Sequence, residues 1–307
     1  MEPKLVVVGS VAYDHVETPW ETIAEVLGGS ATHFSLASEL LVHTGVVAVV
    51  GDDFKKSDWQ RMEHRGIDLT GLKRTEGLTF RWGGRYDEHL KERTTLFTHL
   101  NVFAQFSPEI PAEYRDAPYI FLANIDPDLQ HLVLDQVNNP KWVGLDSMNF
   151  WITGKKESLV RLLARVHTFF LNDSEAFELT GFRDAFRAAA AIRAMGPKVV
   201  VLKKGEHGSV LFVGDEVFSV PALVLPEVKD PTGAGDTYAG GMAGTLARLD
   251  DLSPEAMHFA AVVGTCLSSM CVEQFGPDGP CSSDLEALNR RLELFDRQVR
   301  HSGRRIS

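Results

Sequence analysis

Asp230-Pro231-Thr232-Gly233-Ala234-Gly235-Asp236-Thr237 stands between an apolar, extended run, Val220 to Val228, and a predicted helix, Tyr238 to Leu249. Gly233 and Gly235 lack a Cβ, so the backbone there can turn tightly and approach a ligand closely. The first N–H groups of a helix have no intrahelical partner, and the helix dipole favours negative charge at that end. An anionic oxygen developing in phosphoryl transfer can be held at such a spot. Asp236 then puts a carboxylate beside the same cradle. That is electrostatically costly unless the carboxylate is used, for instance as a base that takes a hydroxyl proton. The plainer reading is a glycine turn capped by Asp230 or Thr232, with Asp236 merely suiting the helix dipole.

The full string, followed by Ala239-Gly240-Gly241, is far more specific than a Gly-x-Gly-Asp match. It resembles the second signature of the PfkB carbohydrate kinases, within the ribokinase-like superfamily. The resemblance implies that Asp236 is the general base and that Gly233, Ala234 and Gly235 form the anion hole. It places Thr232 beside the nucleotide. It also implies a layered α/β/α fold with a mostly parallel central sheet and a small β lid.

Composition agrees with a globular enzyme. The chain has 307 residues, 44% hydrophobic and 24% charged. That fits one domain, 1–307, with a large core. The net charge is −11, and no Lys/Arg block forms the basic footprint of a nucleic-acid binder. Cys266, Cys271 and Cys281 make no Cys-x-x-Cys pair, and their odd number argues against a secreted disulfide framework. The apolar run Leu5 to Val8 is too short for a signal peptide. The uncharged run Phe259 to Val272 is shorter than a membrane span. The expectation is a cytoplasmic protein with neither nucleic-acid nor membrane partners.

Leu5 to Val8 reads as a buried strand entering the turn Gly9-Ser10. Asp14 follows. As an ionised carboxylate it has only acceptor capacity and suits substrate hydroxyls; a turn role is the alternative. In the PfkB kinases an Asp just after the first strand binds the sugar, and Asp14 matches it. Gly28-Gly29-Ser30 precedes a predicted helix, Ala31 to Leu41. The two glycines either admit a sugar ring or form a loop and cap. The place resembles the family's first signature, except that His33 stands where the family has a sugar-binding Asn. His33 is therefore either a pocket residue or a structural histidine. Gly51-Asp52-Asp53 ends the strand Val46 to Val50 and reads as a turn, either structural or close to substrate.

Leu78 to Val102 has the texture of half-buried antiparallel strands. With the segment after the first strand it is assigned to the lid, at about 12–28 and 78–104. Arg81 or Arg85 can meet a charged substrate or lie solvated. Phe80, Trp82 and Tyr86, with Phe150-Trp151, can stack on a base or simply pack.

From Tyr119 onward strands and helices alternate, which implies right-handed crossovers and a parallel sheet. Asn124, Asp146 and Asn172 sit at the C-terminal ends of strands, where such sheets bind ligands. Asn172-Asp173-Ser174-Glu175 matches the family's Asn-x-x-Glu motif, which organises Mg2+ and its waters; capping of a helix Glu175 to Leu179 by Asp173 or Ser174 is the alternative. Lys203-Lys204-Gly205-Glu206-His207-Gly208 joins two strands. The resemblance places Lys204, Gly205 and Gly208 beside the nucleotide, and Lys203 and Lys204 can compensate phosphate charge.

These residues point to an ATP- and Mg2+-dependent kinase acting on a hydroxymethyl group of a sugar or nucleoside. A homodimer through the lid is a further expectation. The rivals are a hydroxymethylpyrimidine or pyridoxal-type vitamin kinase and a catalytically silent ligand-binding regulator. The intact Asp236, Asn172 and Glu175 count against the last.

Overall fold

The apolar runs become strands because most are buried on both faces, as a sheet covered by helices requires. The computed structural model describes residues 2–300; Met1 and 301–307 of the single-domain reading lie outside the described residues. In chain order the strands are β1 (Leu5–Val8), β2 (Ala12–Glu17), β3 (Thr22–Gly28), β4 (Thr44–Val50), β5 (Asp68–Arg74), β6 (Phe80–Tyr86) and β7 (Arg93–His99). They continue as β8 (Tyr119–Leu122), β9 (Trp142–Asp146), β10 (Thr168–Asn172), β11 (Val199–Lys203), β12 (Ser209–Val213) and β13 (Glu216–Val220).

Nine strands form one sheet in the order β13-β12-β11-β10-β9-β8-β1-β4-β5. The pairs from β11 through β5 are parallel, and β12 and β13 add antiparallel at one edge. Side chains of β1 alternate between two cores. Leu5 and Val7 join the helices Ser30–Ser38, Ala234–Leu249 and Pro254–Cys271. Val6 and Val8 join Leu159, Leu162 and Ile192 on the opposite face. This is an α/β/α layering, the ribokinase-like fold. Strand order reverses at β1, which lies between β4 and β8. The crevice beyond the carboxyl ends of β1 and β8 is thus the topological switch point where open sheets bind ligands.

A second sheet has the order β3-β2-β6-β7. Asp53 ties it to the large one: its carboxylate accepts from Thr79 N (2.7 Å), Thr79 Oγ1 (2.6 Å) and Arg81 (2.7 Å). The Gly51-Asp52-Asp53 turn is therefore structural. A Cβ on Gly51 would lie 2.2 Å from the Gly77 carbonyl.

Between β13, which ends at Val220, and the motif, 221–230 joins no sheet; Pro221 and Pro226 interrupt any ladder there. One local expectation needs correction. The helix begins at Ala234, ahead of Tyr238. Gly233 at the cap takes the left-handed conformation that starts it early, with φ 75°. Close packing accounts for the helical glycines. A Cβ on Gly240 would sit 2.3 Å from the Phe34 carbonyl, and one on Gly241 2.9 Å from Gly264 Cα. Among the described residues no helix is long and apolar enough to cross a membrane.

Candidate active site

The motif is folded by its own side chains. Asp230, fully buried, accepts from Thr232 N at 2.8 Å and fixes the turn. Gly233 must be glycine twice over. Its φ is positive, and an added Cβ would lie 2.3 Å from His33 Nδ1. The Ala234 amide donates to the Pro231 carbonyl at 3.2 Å. The amides of Gly233, Gly235 and Asp236 have no acceptor among the described residues. A short row of donors therefore sits at the positive end of a sixteen-residue helix.

Asp236 lies in the first turn of that helix. Burial, reinforced by the nearby Asp146 carboxylate, pushes its carboxyl up to about 7, against the pull of Lys203 and Arg93. Asp146 closes β9, and its Oδ2 accepts from Lys203 Nζ, the last residue of β11. Lys203 Nζ is also 3.3 Å from where a Cβ on Gly235 would be. Glu175 joins this cluster. Burial raises it to about 7, Lys203 opposes the rise, and Asp146 adds to it.

Asn172 and Glu175 form a capping box. Asn172 Oδ1 accepts from Glu175 N at 2.9 Å, and Glu175 Oε2 accepts from Asn172 N at 2.8 Å. The helix is thus capped, by Asn172 and not by Asp173 or Ser174, and the buried Glu175 carboxyl also sits in the field of Lys203. Lys204 pairs with Asp173 at 2.6 Å.

Asp14, 6% exposed, stands in β2. Burial raises it to about 7, and Asp230 and Asp236 add to the rise. Gly28 makes room for it, since a Cβ there would fall 2.0 Å from Asp14 Oδ2. Gly29 has φ 95°, and a Cβ would meet the Ser10 carbonyl at 2.5 Å. Both glycines serve close approach of the chain to itself around Asp14. His33 is 1% exposed, with its ring against Gly233 and Nδ1 3.9 Å from Cys271 Sγ. Burial alone lowers its imidazole to about 4, so it is neutral, and Nε2 has no partner among the described residues.

A cavity of about 830 Å³ opens beside the motif. Lys203, Lys204, Gly205, Gly208, Ala234 and Gly235 line one part of it, and Leu223, Leu225, Val228 and Val272 line another. It joins a cationic, amide-rich end to an apolar one, which suits a nucleotide. Thr232 does not line it. The turn fixed by Asp230 aims its hydroxyl at Tyr86 Oη, 3.0 Å away on β6.

Several lid-region readings change. Arg81 is committed to Asp53 and Glu25, and Arg85 to Glu17. Phe80 stacks on Phe103 at 5.4 Å. Arg93 lies over Trp82 at 5.0 Å. Phe150 and Trp151 pack edge to face with each other and do not line the cavity. The arginine that does face the site is Arg93, whose charge acts on Asp14, Asp236 and Glu175. Sequence reasoning missed it because one arginine among threonines in a strand carries no motif. The register Tyr86↔Arg93 puts it next to the Tyr86–Thr232 contact.

Comparison with known proteins bears on the family and the fold. The profile of the pfkB family carbohydrate kinases matches residues 2–282. The chain belongs to that family, and it is a kinase. A cytidine kinase of Thermococcus kodakarensis is 29% identical over 80% of this chain and 88% of its own. In fold, the adenosine kinase of Sinorhizobium meliloti superposes with a TM-score of 0.77 at 18% identity, covering 95% of this chain and 99% of that one. Arabidopsis thaliana ribokinase, solved with ribose and ATP, superposes with a TM-score of 0.74 at 24% identity, covering 95% and 99%.

Proposed function

We propose that this protein is an ATP-dependent nucleoside kinase that phosphorylates the hydroxymethyl group of its acceptor. One observation carries the reading: Asp236 sits at the unpartnered amides of a helix start, next to Gly235 and Lys203 of the cavity lining and within electrostatic reach of the buried Asp14. The likeness to a cytidine kinase over most of the chain supports a nucleoside acceptor.

The chemistry follows from these positions. The donor's phosphates lie at Lys203, Lys204, Gly205 and Gly208, with its base toward the apolar end. Asp14 accepts hydrogen bonds from two vicinal hydroxyls of the acceptor. Asp236 takes the proton of the CH2OH group as its oxygen bonds to the γ-phosphorus, and the bond to the bridging oxygen breaks to release ADP. The Gly233, Gly235 and Asp236 amides hold the transferring oxygens, and Ala234 joins them by exchanging its long bond to Pro231. Arg93 adds positive charge from the small sheet, which acts as the lid that keeps water out. His33 supports Gly233 from behind. Thr232 links the motif to Tyr86 rather than touching the nucleotide.

No cluster of three metal-ligating side chains exists among the described residues. A hydrated Mg2+ is held mainly by phosphate and water, and the buried Glu175 carboxyl fits the water shell of such an ion. When bound, Mg2+ supplies charge neutralisation of the phosphates. Glu175 and Asn172 would order its water shell. Glu175→Gln keeps the capping box, because Gln serves equally at that position. It should therefore leave the protein folded, melting at or above wild type at pH 8, while raising the Mg2+ concentration for half-maximal rate several-fold. An unchanged Mg2+ dependence would reduce Asn172 and Glu175 to capping alone.

An ATP-consumption screen over nucleosides, sugars and vitamin alcohols tests the assignment. Turnover with a nucleoside is the expected result. Turnover confined to a vitamin alcohol, or to none of them, would overturn it.

A further inference from the structure

The turn between β6 and β7 belongs to the small sheet, yet His89, Leu90 and Lys91 line the same cavity as Lys204 and Gly205. The turn has its own frame. Asp87 Oδ1 accepts from Lys91 N at 2.6 Å and Glu92 N at 3.0 Å, and the Leu90 amide donates to the Asp87 carbonyl at 3.0 Å. One ion pair crosses the cavity mouth. Lys91 Nζ lies 2.8 Å from Oε1 of Glu206, in the turn Gly205–His207. No other hydrogen bond or ion pair joins 87–92 to 203–208 among the described residues.

We propose that Lys91 and Glu206 are positioning residues for the phosphate donor: their ion pair latches the β6–β7 turn across the cavity as its outer wall. The small sheet then contributes to donor affinity as well as covering the acceptor. This rests on the kinase reading of the cavity. Both side chains are more than half exposed, at 58% and 53%. Such a pair adds little to folding. Its use is to hold two separately framed turns in register. A latch that is weak and salt-sensitive can open at each turnover to admit ATP and release ADP.

Calorimetric titration with ADP tests this in four proteins: wild type, Glu206→Lys, Lys91→Glu and the double exchange. Glu206→Lys is the decisive variant. If only local charge mattered, an added lysine beside the phosphates would tighten ADP binding. A broken latch weakens it, by about threefold or more at low salt. Lys91→Glu should weaken it too, and the double exchange should return to within about twofold of wild type. The differences should shrink in about 0.5 M NaCl. The KM for the acceptor should change less than that for ATP. ADP binding by Glu206→Lys as tight as wild type or tighter would overturn the proposal, and so would a double exchange no better than the single variants. If wild type binds ADP and the latch behaves as described but no acceptor turns over, the kinase assignment fails and the latch stands. If wild type binds no ADP, both fail.

Discussion

Asp236→Asn is expected to lower kcat by roughly 10²–10⁴-fold, the range for removing a positioned general base. ADP binding should change little, because the substituted amide retains the size of the side chain and leaves the backbone N–H groups of the helix start in place. The wild-type rate should also carry the carboxyl's signature. With Asp236 raised to about 7, kcat/KM should fall about tenfold per pH unit below that value and level off above it. The variant's residual rate should lack this limb. Stability should move the opposite way. A carboxyl at 3.8 in the unfolded chain and about 7 in the folded one binds its proton more tightly when folded. Its relative contribution is fully present below pH 3.8 and is lost as pH rises to about 7. At pH 8 the wild type thus carries a poorly solvated charge that Asn does not. Asp236→Asn should melt higher than wild type at pH 8, and the two should converge toward pH 4. An active site destabilised for its function behaves this way. A variant that melts lower at pH 8 would mean that Lys203 and Arg93 outweigh burial and Asp146.

Asp14→Ala should raise the acceptor KM by roughly 10- to 10⁴-fold, from about 1–3 kcal/mol for each hydroxyl left unpaired in a closed site. The KM for ATP should hardly move, because Asp14 does not line the cavity. The buried Asp14, close to Asp230 and Asp236, is itself electrostatically unfavourable in the free protein, so its loss should not unfold the chain. An unchanged acceptor KM would place the substrate elsewhere. His33→Asn is the companion variant. With the ring behind Gly233, it should lower kcat more than it shifts preference among acceptors. A change of preference without loss of kcat would instead put His33 in contact with the acceptor.

Much of the site was legible because its signals are local. The motif from Asp230 to Thr237 reads as a glycine turn with a carboxylate, and Asn172 to Glu175 reads as a metal-linked or helix-capping string, each within a few residues; that Asn172 and Glu175 cap each other is seen only in the structure. The alternation after Tyr119 reads as a parallel sheet because each strand is a short apolar run with a polar end. What escaped is what folding brings together from afar. Asp146 and Lys203 end two strands that are not even neighbours, since β10 lies between β9 and β11. Each alone is an ordinary strand-end charge, and only the sheet makes them a pair. Arg93 gains its meaning from the register with Tyr86 and the contact of Tyr86 with Thr232. The early helix start escaped because Gly233-Ala234-Gly235 has poor helix propensity. A left-handed Gly233 and the dense packing around Gly240 and Gly241 override that weakness. His33 reads equally as ligand or core until Gly233 is seen against its ring.

The central claim is that Asp236 serves phosphoryl transfer to a nucleoside. Mass spectrometric identification of the product formed from cytidine, ATP and Mg2+ tests it most directly, run in parallel for wild type and Asp236→Asn. The account predicts cytidine monophosphate and ADP in equal amounts from the wild type, and a rate lower by roughly 10²-fold or more from the variant. Equal product from both proteins, or ATP hydrolysed to ADP with the nucleoside unchanged, would contradict it.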